Sequence, residues 1–205
     1  MNLYFDAEIG HQTKLQIDSN YVLANGSSIS FQMLKFYISN IRFFHENKLV
    51  YSEKNSFHLI DFEDISTKII SLDKLVDTSF DQIKFDLGID STSNVSGALG
   101  GDLDPTKGMY WTWQSGYINC KMEAVLADFK NEKHPIEFHL GGYQYPFKSI
   151  QPVELNLFNT SNIHIVMELN NFVNAMDVGK QKRIMSPCPA SVNISRQLAK
   201  CFVVK

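Results

Sequence analysis

Alternation with a period of two runs through most of this chain. In "LYFDAEI", Leu3, Phe5, Ala7 and Ile9 fall on one side, with Asp6 and Glu8 on the other. "FYISNIRFF", "SFHLIDF", "QIKFDLGI", "YWTWQSGYINCKM", "PIEFHLG", "VELNLF" and "IHIVMEL" read the same way. Side chains of a strand point alternately to its two faces, so each run predicts a half-buried strand. β-branched and aromatic residues fill these runs. Turn signals separate them at Asn25-Gly26, Glu46-Asn47-Lys48, Gly100-Gly101, Gly141-Gly142 and Asn159-Thr160-Ser161. The pattern predicts a mainly β fold, an antiparallel β-sandwich or a barrel-like sheet.

Helical signals are few and late. "NNFVNAMDVG" predicts one or two turns, and "SVNISRQLAKCF" a short helix with Ile194, Leu198 and Cys201 on one side. One or two short helices near the C-terminus are therefore expected. The longest irregular piece runs from about Asp90 to Gly108. A loop of that length inside a compact domain usually carries function.

Length suits one domain over residues 1–205. A net charge of -3 gives no attraction for nucleic acid or anionic lipid. The short basic cluster Lys180-Gln181-Lys182-Arg183 reads as a solvated turn. No apolar window of about 18 residues exists, so no membrane-spanning helix is expected. The opening "MNLYFDAEIG" has neither the basic nor the apolar region of a secretory leader. Either the protein is cytosolic or its leader lies outside the sequence given. Three cysteines, Cys120, Cys188 and Cys201, do not make a disulfide framework, and no C-x-x-C pair exists. Cys188 and Cys201 are placed to pair in an oxidising compartment, or all three are buried thiols.

Candidate chemistry is sparse. Asp90, Asn94, Asp102 and Asp104 offer hard oxygen donors of the kind calcium takes, but without EF-hand spacing. The other reading of that loop is one stabilised by Asx turns and glycine. Trp111 and Trp113, the only tryptophans, are expected on one face of an extended strand, as core or as a flat platform. His45 and His134 sit by turns and are expected to be exposed and inert. His164 alternates with Ile163 and Ile165 and should face away from the core. His58 and His139 each lie between Phe and Leu in a strand-like run, so a metal site must be assembled between strands. Neutral imidazoles of that kind suit copper or zinc. No nucleotide-binding loop, nucleophile elbow or nucleophile–base pair is evident, so no enzyme activity is expected.

The ordered series "FYISNIRFF", "FHLIDFED", "IKFDLGIDSTSNVSGALGGDLDPTKGMYWTWQSGYINCKMEA" and "FHLGGY" resembles the MbnP-like family over nearly the whole chain. What the resemblance implies is a secreted bacterial protein of copper handling. It implies location in the periplasm or cell envelope, with a secretion or lipoprotein leader and a possible lipid anchor outside this chain. It also implies a di-haem, peroxidase-like cytochrome as partner. In the characterised branch that partner oxidises a tryptophan to kynurenine, and the modified side chain and histidines bind one copper ion. Here Trp111 and Trp113 are the tryptophans available, with His58 and His139 as imidazole donors. Methanotroph-type members carry His-Asp after the aromatic strand; this chain reads Ile38-Ser39-Asn40-Ile41 and resembles the "YISN" branch. The competing expectation is a non-catalytic module that recognises a protein or glycan through the aromatic strand and a calcium-stabilised Asp/Gly loop.

Overall fold

The computed structural model describes residues 1–10, 13–72, 79–113, 116–158, 162–176 and 182–205. The first strands are β1 (Asn2–Ile9), β2 (Thr13–Lys14), β3 (Asn20–Val22), β4 (Ser28–His45) and β5 (Lys48–Ser52). There follow β6 (Phe57–Asp61), β7 (Ile69–Ser71), β8 (Gln82–Leu87), β9 (Tyr110–Trp111) and β10 (Gly116–Ala127). The last are β11 (Lys133–Gly141), β12 (Gln151–Asn156), β13 (Asn162–Glu168), β14 (Arg183–Ile184) and β15 (Phe202–Val204). The described chain also holds three short α-helices, α1 (Ser91–Val95), α2 (Asn170–Ala175) and α3 (Pro189–Ala199), and three single turns of 3-10 helix at Ile65–Lys68, Gly101–Leu103 and Pro105–Lys107. The mainly β expectation and both C-terminal helices are found, while α1 was not foreseen.

Two curled sheets face each other. The smaller has the order β15-β13-β1-β2, with β7 also paired to β1. The larger runs β12-β8-β4-β10-β11-β14, with β3, β5 and β6 on β4 and β9 on β10. Pairing is mostly antiparallel, but β1 and β13 run parallel from Asn2↔Asn162 to Glu8↔Glu168.

β4 is the spine of the larger sheet. Its buried core residues are Ile29 and Phe31, then Leu34, Phe36 and Ile38, then Ile41 and Phe43. Each gap of three coincides with a shift of register, against β10 and then against β8. An extra residue in a strand bends it and moves the following side chains to the other face. The two shifts let an 18-residue strand curl while keeping its apolar side inward.

The main core lies between the sheets. Phe5 meets Phe85 edge-on at 6.0 Å, and Phe202 meets Phe36 and Phe85 at 5.7 and 5.4 Å. Phe36 is wholly buried, and cutting such a ring to Ala typically costs about 3–5 kcal/mol. In α3, Pro189 starts the helix after Cys188, whose Sγ accepts from the Ser191 N–H. Ile194 and Leu198, one turn apart, are buried in the main core. A second, smaller cluster covers the outer side of β4: Tyr37, Leu59, Leu103, Met109, Trp111 and Tyr117 are among its members. Among the described residues no helix is long and apolar enough to cross a membrane.

Candidate functional site

The aromatic run expected to be one strand is a bent one. Tyr110–Trp111 pairs back on Gly116–Tyr117, with Trp111 opposite Gly116 and Tyr110 opposite Tyr117. Thr112 and Trp113 belong to the turn, and the Gln114 and Ser115 positions lie outside the described residues. The expected shared face for Trp111 and Trp113 is therefore lost. Period two alone does not distinguish a straight strand from a tight hairpin of the same residues. Trp111 is 6% exposed and Trp113 is 65% exposed. Their rings lie 5.8 Å apart and tilt by 47°, so they form no flat platform.

Glycine makes the seat for Trp111. A Cβ at Gly141 would stand 2.6 Å from Trp111 Cζ3 and 2.7 Å from the Tyr117 carbonyl oxygen. Nothing larger than hydrogen fits there without moving the indole. A cleft of about 200 Å³ opens along Trp111 between Gly116, Tyr143, Tyr145 and Phe147.

The segment 90–108 is ordered rather than irregular, and its oxygens are committed. Asp90 Oδ1 accepts from the Ser93 N–H at 2.8 Å and caps α1, while Oδ2 accepts from Ser93 Oγ at 3.0 Å. Asn94 Oδ1 accepts from the Tyr117 N–H at 2.8 Å. Asp102 Oδ2 accepts from the Leu59 N–H at 3.1 Å, and Oδ1 pairs with Lys107 at 2.6 Å. Asp104 Oδ1 accepts from the N–H and hydroxyl of Thr106. Those bonds hold the Asp104 carboxyl below its usual range. Asp90, Asn94, Asp102 and Asp104 thus fasten the loop to the sheet and to itself; they do not converge as a calcium cage. Tyr37 and Tyr117 complete the fastening by donating to the carbonyls of Asp102 and Leu103 at 3.0 and 3.1 Å.

His58 and His139 do not come together. Register places Lys35, Lys121, Asp61 and His139 on the outer face of the larger sheet. His58 stands opposite Ile38, a residue of the main core, and so belongs to the other face. The expected two-imidazole pair is corrected on this point: Asp61 is three positions after His58, an odd step, and an odd step changes face. Each imidazole instead has its own carboxylate. His58 Nε2 lies 2.9 Å from Glu53, and His139 Nε2 lies 2.8 Å from Glu123. Neither glutamate was singled out from sequence. They lie 5 and 16 residues from their histidines, separations that only the register explains.

His139 is 9% exposed. Burial pulls its basicity below the ordinary 6.5, and the Glu123 carboxylate opposes that without cancelling it. Its ring is therefore neutral at pH 7. With Nε2 anchored, Nδ1 is left as the donor atom, the arrangement seen for carboxylate-oriented metal ligands. His139 and Gly141 are two residues apart on β11, so the imidazole and the seat of Trp111 share one face.

Of the other histidines, His164 is exposed as expected and stacks on Tyr4 with centroids 4.7 Å apart. His45 is half-buried, 3.4 Å from Asp81. His134, expected to be inert, groups with Asp128 and Glu132. His11 lies outside the described residues, as do Lys180 and Gln181 of the basic cluster. The three cysteines are free thiols, so the possible Cys188–Cys201 pairing is not made. Burial pushes the Cys120 thiol up to about 12 and Cys201 to about 11, which removes both as nucleophiles.

No curated protein matches this sequence. Among solved structures, MbnP from Methylosinus trichosporium superposes with a TM-score of 0.61 at 12% identity, covering 91% of this chain and 81% of that one. At that identity the likeness is one of fold. The sequence pattern of the MbnP family, in contrast, matches residues 1–188, nearly the full length of the chain. With the sandwich, the seated tryptophan and the ordered loop in place, that match makes this chain a member of the MbnP family.

Proposed function

We propose that this protein binds copper and passes it on, in the periplasm or cell envelope, without catalytic turnover of its own. Family membership supports the copper reading. The observation that carries it to a place in this chain is the shared face of β11. There a neutral imidazole anchored by Glu123 stands two residues from the glycine seat of Trp111. Copper(I) takes few ligands and favours soft or imidazole donors. A site built on both His58 and His139 does not fit, because the two rings point to opposite sides of the sheet. One built on His139 Nδ1 and a donor derived from Trp111 does.

In this reading Trp111 is the residue oxidised to kynurenine by a di-haem, peroxidase-like partner. The change replaces an indole with a carbonyl and an aromatic amine, both able to serve as donors. Trp113 is exposed and 5.8 Å from Trp111, centroid to centroid, which suits it to receive the oxidising equivalent first.

The test combines mass and affinity. Protein co-produced with its neighbouring haem protein is digested, and the peptide spanning residues 108–121 is sequenced by mass spectrometry. Kynurenine is expected at 111. Copper(I) affinity, measured by competition with a chromophoric chelator, is expected to fall in His139→Ala and to hold in His58→Ala. Equal affinity in all three proteins, or modification confined to position 113, would sink the assignment.

A further inference from the structure

A second cluster of metal-ligating side chains lies at the far end of β10 and β11. Asp128, Glu132 and His134 each offer one ligand atom, and these atoms lie within 4.8 Å of one another. The turn between the strands holds the first of them in place. Asp128 Oδ1 accepts from the N–H groups of Lys130 and Glu132 at 2.8 and 2.9 Å, and the Asp128 N–H returns a bond to the Glu132 carbonyl at 3.1 Å. Asn131 takes the left-handed conformation that closes the turn, with φ of 66°. The backbone N–H bonds from Glu132 and Lys130 also keep the Asp128 carboxyl below its usual range. Oδ1 is thus spoken for by the backbone, and Oδ2 remains, 3.5 Å from His134 Nε2.

That separation is too long for a strong hydrogen bond. The Glu132 carboxylate takes no hydrogen bond or ion pair among the described residues. Two carboxylates and one imidazole therefore converge with only the long Asp128–His134 contact between them. On the other side of the ring, Lys182 Nζ lies 3.2 Å from His134 Nδ1. An ammonium donates, so Nδ1 is the acceptor and the ring proton sits on Nε2, facing Asp128.

We propose that Asp128, Glu132 and His134 form a binding site for a borderline divalent cation of the zinc class, separate from the copper site. One imidazole with two carboxylate oxygens is a donor set such ions accept, with further positions open to water. Ligand atoms around zinc stand roughly 3.3 Å apart when bonds are near 2.0 Å, so the carboxylates close in by small side-chain rotations. The cation takes the place of the proton at Nε2. The ring hydrogen moves to Nδ1, which no longer accepts from Lys182, and the exposed lysine swings into solvent. Lys182 is therefore a competitor of the cation, and its removal should strengthen binding.

Zinc ion alone is the probe, titrated against wild type and the variants His134→Gln, Glu132→Gln, Lys182→Ala and His139→Gln with a zinc-chelating dye. Wild type is expected to bind one ion at this corner. His134→Gln should weaken that binding by at least the roughly 10–100-fold that loss of an outer partner costs. Glu132→Gln should weaken it less, and Lys182→Ala should bind at least as tightly as wild type. His139→Gln should leave zinc affinity unchanged, so this site and the copper site fail or stand separately. Circular dichroism of each variant confirms that the surface changes leave the fold intact. Wild-type affinity in His134→Gln, weaker binding in Lys182→Ala, or loss of zinc in His139→Gln would each overturn the proposal.

Discussion

Two histidine–glutamate pairs of almost equal length stand on opposite sides of the larger sheet, and they do different work. At His58 the partner Glu53 also accepts from Ser56 Oγ at 2.6 Å. Ser56 Oγ in turn accepts from the Ile41 N–H at 3.1 Å, and the Glu53 N–H donates to the Ile41 carbonyl at 3.0 Å. Ile41 follows Asn40, the left-handed residue at the second bend of β4, with φ of 55°. This pair braces a kink. Burial pushes the Glu53 carboxyl up, but the bonds from His58 and Ser56 outweigh it and leave the group below its ordinary 4.5. At His139 no such chain of bonds runs to the backbone among the described residues, and burial prevails over the carboxylate. A contact distance alone does not reveal which partner yields its charge; the neighbours decide. The pair without that brace, with Lys121 3.8 Å from Glu123, is the one on the face of the seated tryptophan.

The contrast can be broken first on the His139 side. Gly141→Ala forces a Cβ into Trp111 and the Tyr117 carbonyl, and overpacking of this kind costs up to about 3 kcal/mol. Thermal unfolding should show the loss, and tryptophan emission should shift as Trp111 leaves its seat. Unchanged emission and stability would mean that the indole is not held there. On the His58 side, Ser56→Ala leaves the buried Ile41 N–H without its acceptor, a loss of about 2 kcal/mol. Copper affinity should not follow, since the brace and the proposed site are on different faces. A parallel fall in copper affinity would merge the two regions.

The smallest effect is the sharpest discriminator, and it is a matter of pH. His139 has a folded pKa below its ordinary 6.5, so on acidification the unfolded chain takes up that proton first. Its contribution is present above about 6.5 and lost as pH falls through the lower folded value. Glu53, also depressed, contributes above its ordinary 4.5 and loses that contribution only as pH falls through its own folded value. Denaturant midpoints of wild type, His139→Gln and Glu53→Gln across pH 3 to 8 should therefore separate in two windows. His139→Gln should flatten the upper one and Glu53→Gln the lower. One shared window would contradict the opposite assignments of charge.

Most strands were legible because burial on one face imposes strict alternation, as in β1, where Leu3, Phe5, Ala7 and Ile9 are all buried. The bends of β4 are also written in the chain, as steps of three between Phe31 and Leu34 and between Ile38 and Ile41, though a reading by simple alternation passes over them. The turn after Trp111 left no such trace, because the aromatic residues keep their spacing while the backbone reverses. Asp90 before "STSNV" is an ordinary helix N-cap, and it announces α1 once the segment is read for caps rather than for calcium. The faces of His58 and His139 were beyond reach for a different reason. They depend on which strand pairs with which and in what register, and those contacts join residues distant in sequence.

One of those distant contacts has a bearing on how the molecule forms. β1 gains its parallel neighbour only when residues 162–168 are present, and β13 in turn pairs with β15 at the end of the described chain. Contacts of such long range are slow to form, because the intervening chain must be closed into a loop before any bond repays it. The opening strand, apolar along one side, therefore has only β2 and β7 to pair with until β13 has been made. In a chain of this topology the smaller sheet is completed last, by β13, which lies more than 150 residues from the β1 it covers, and then by β15.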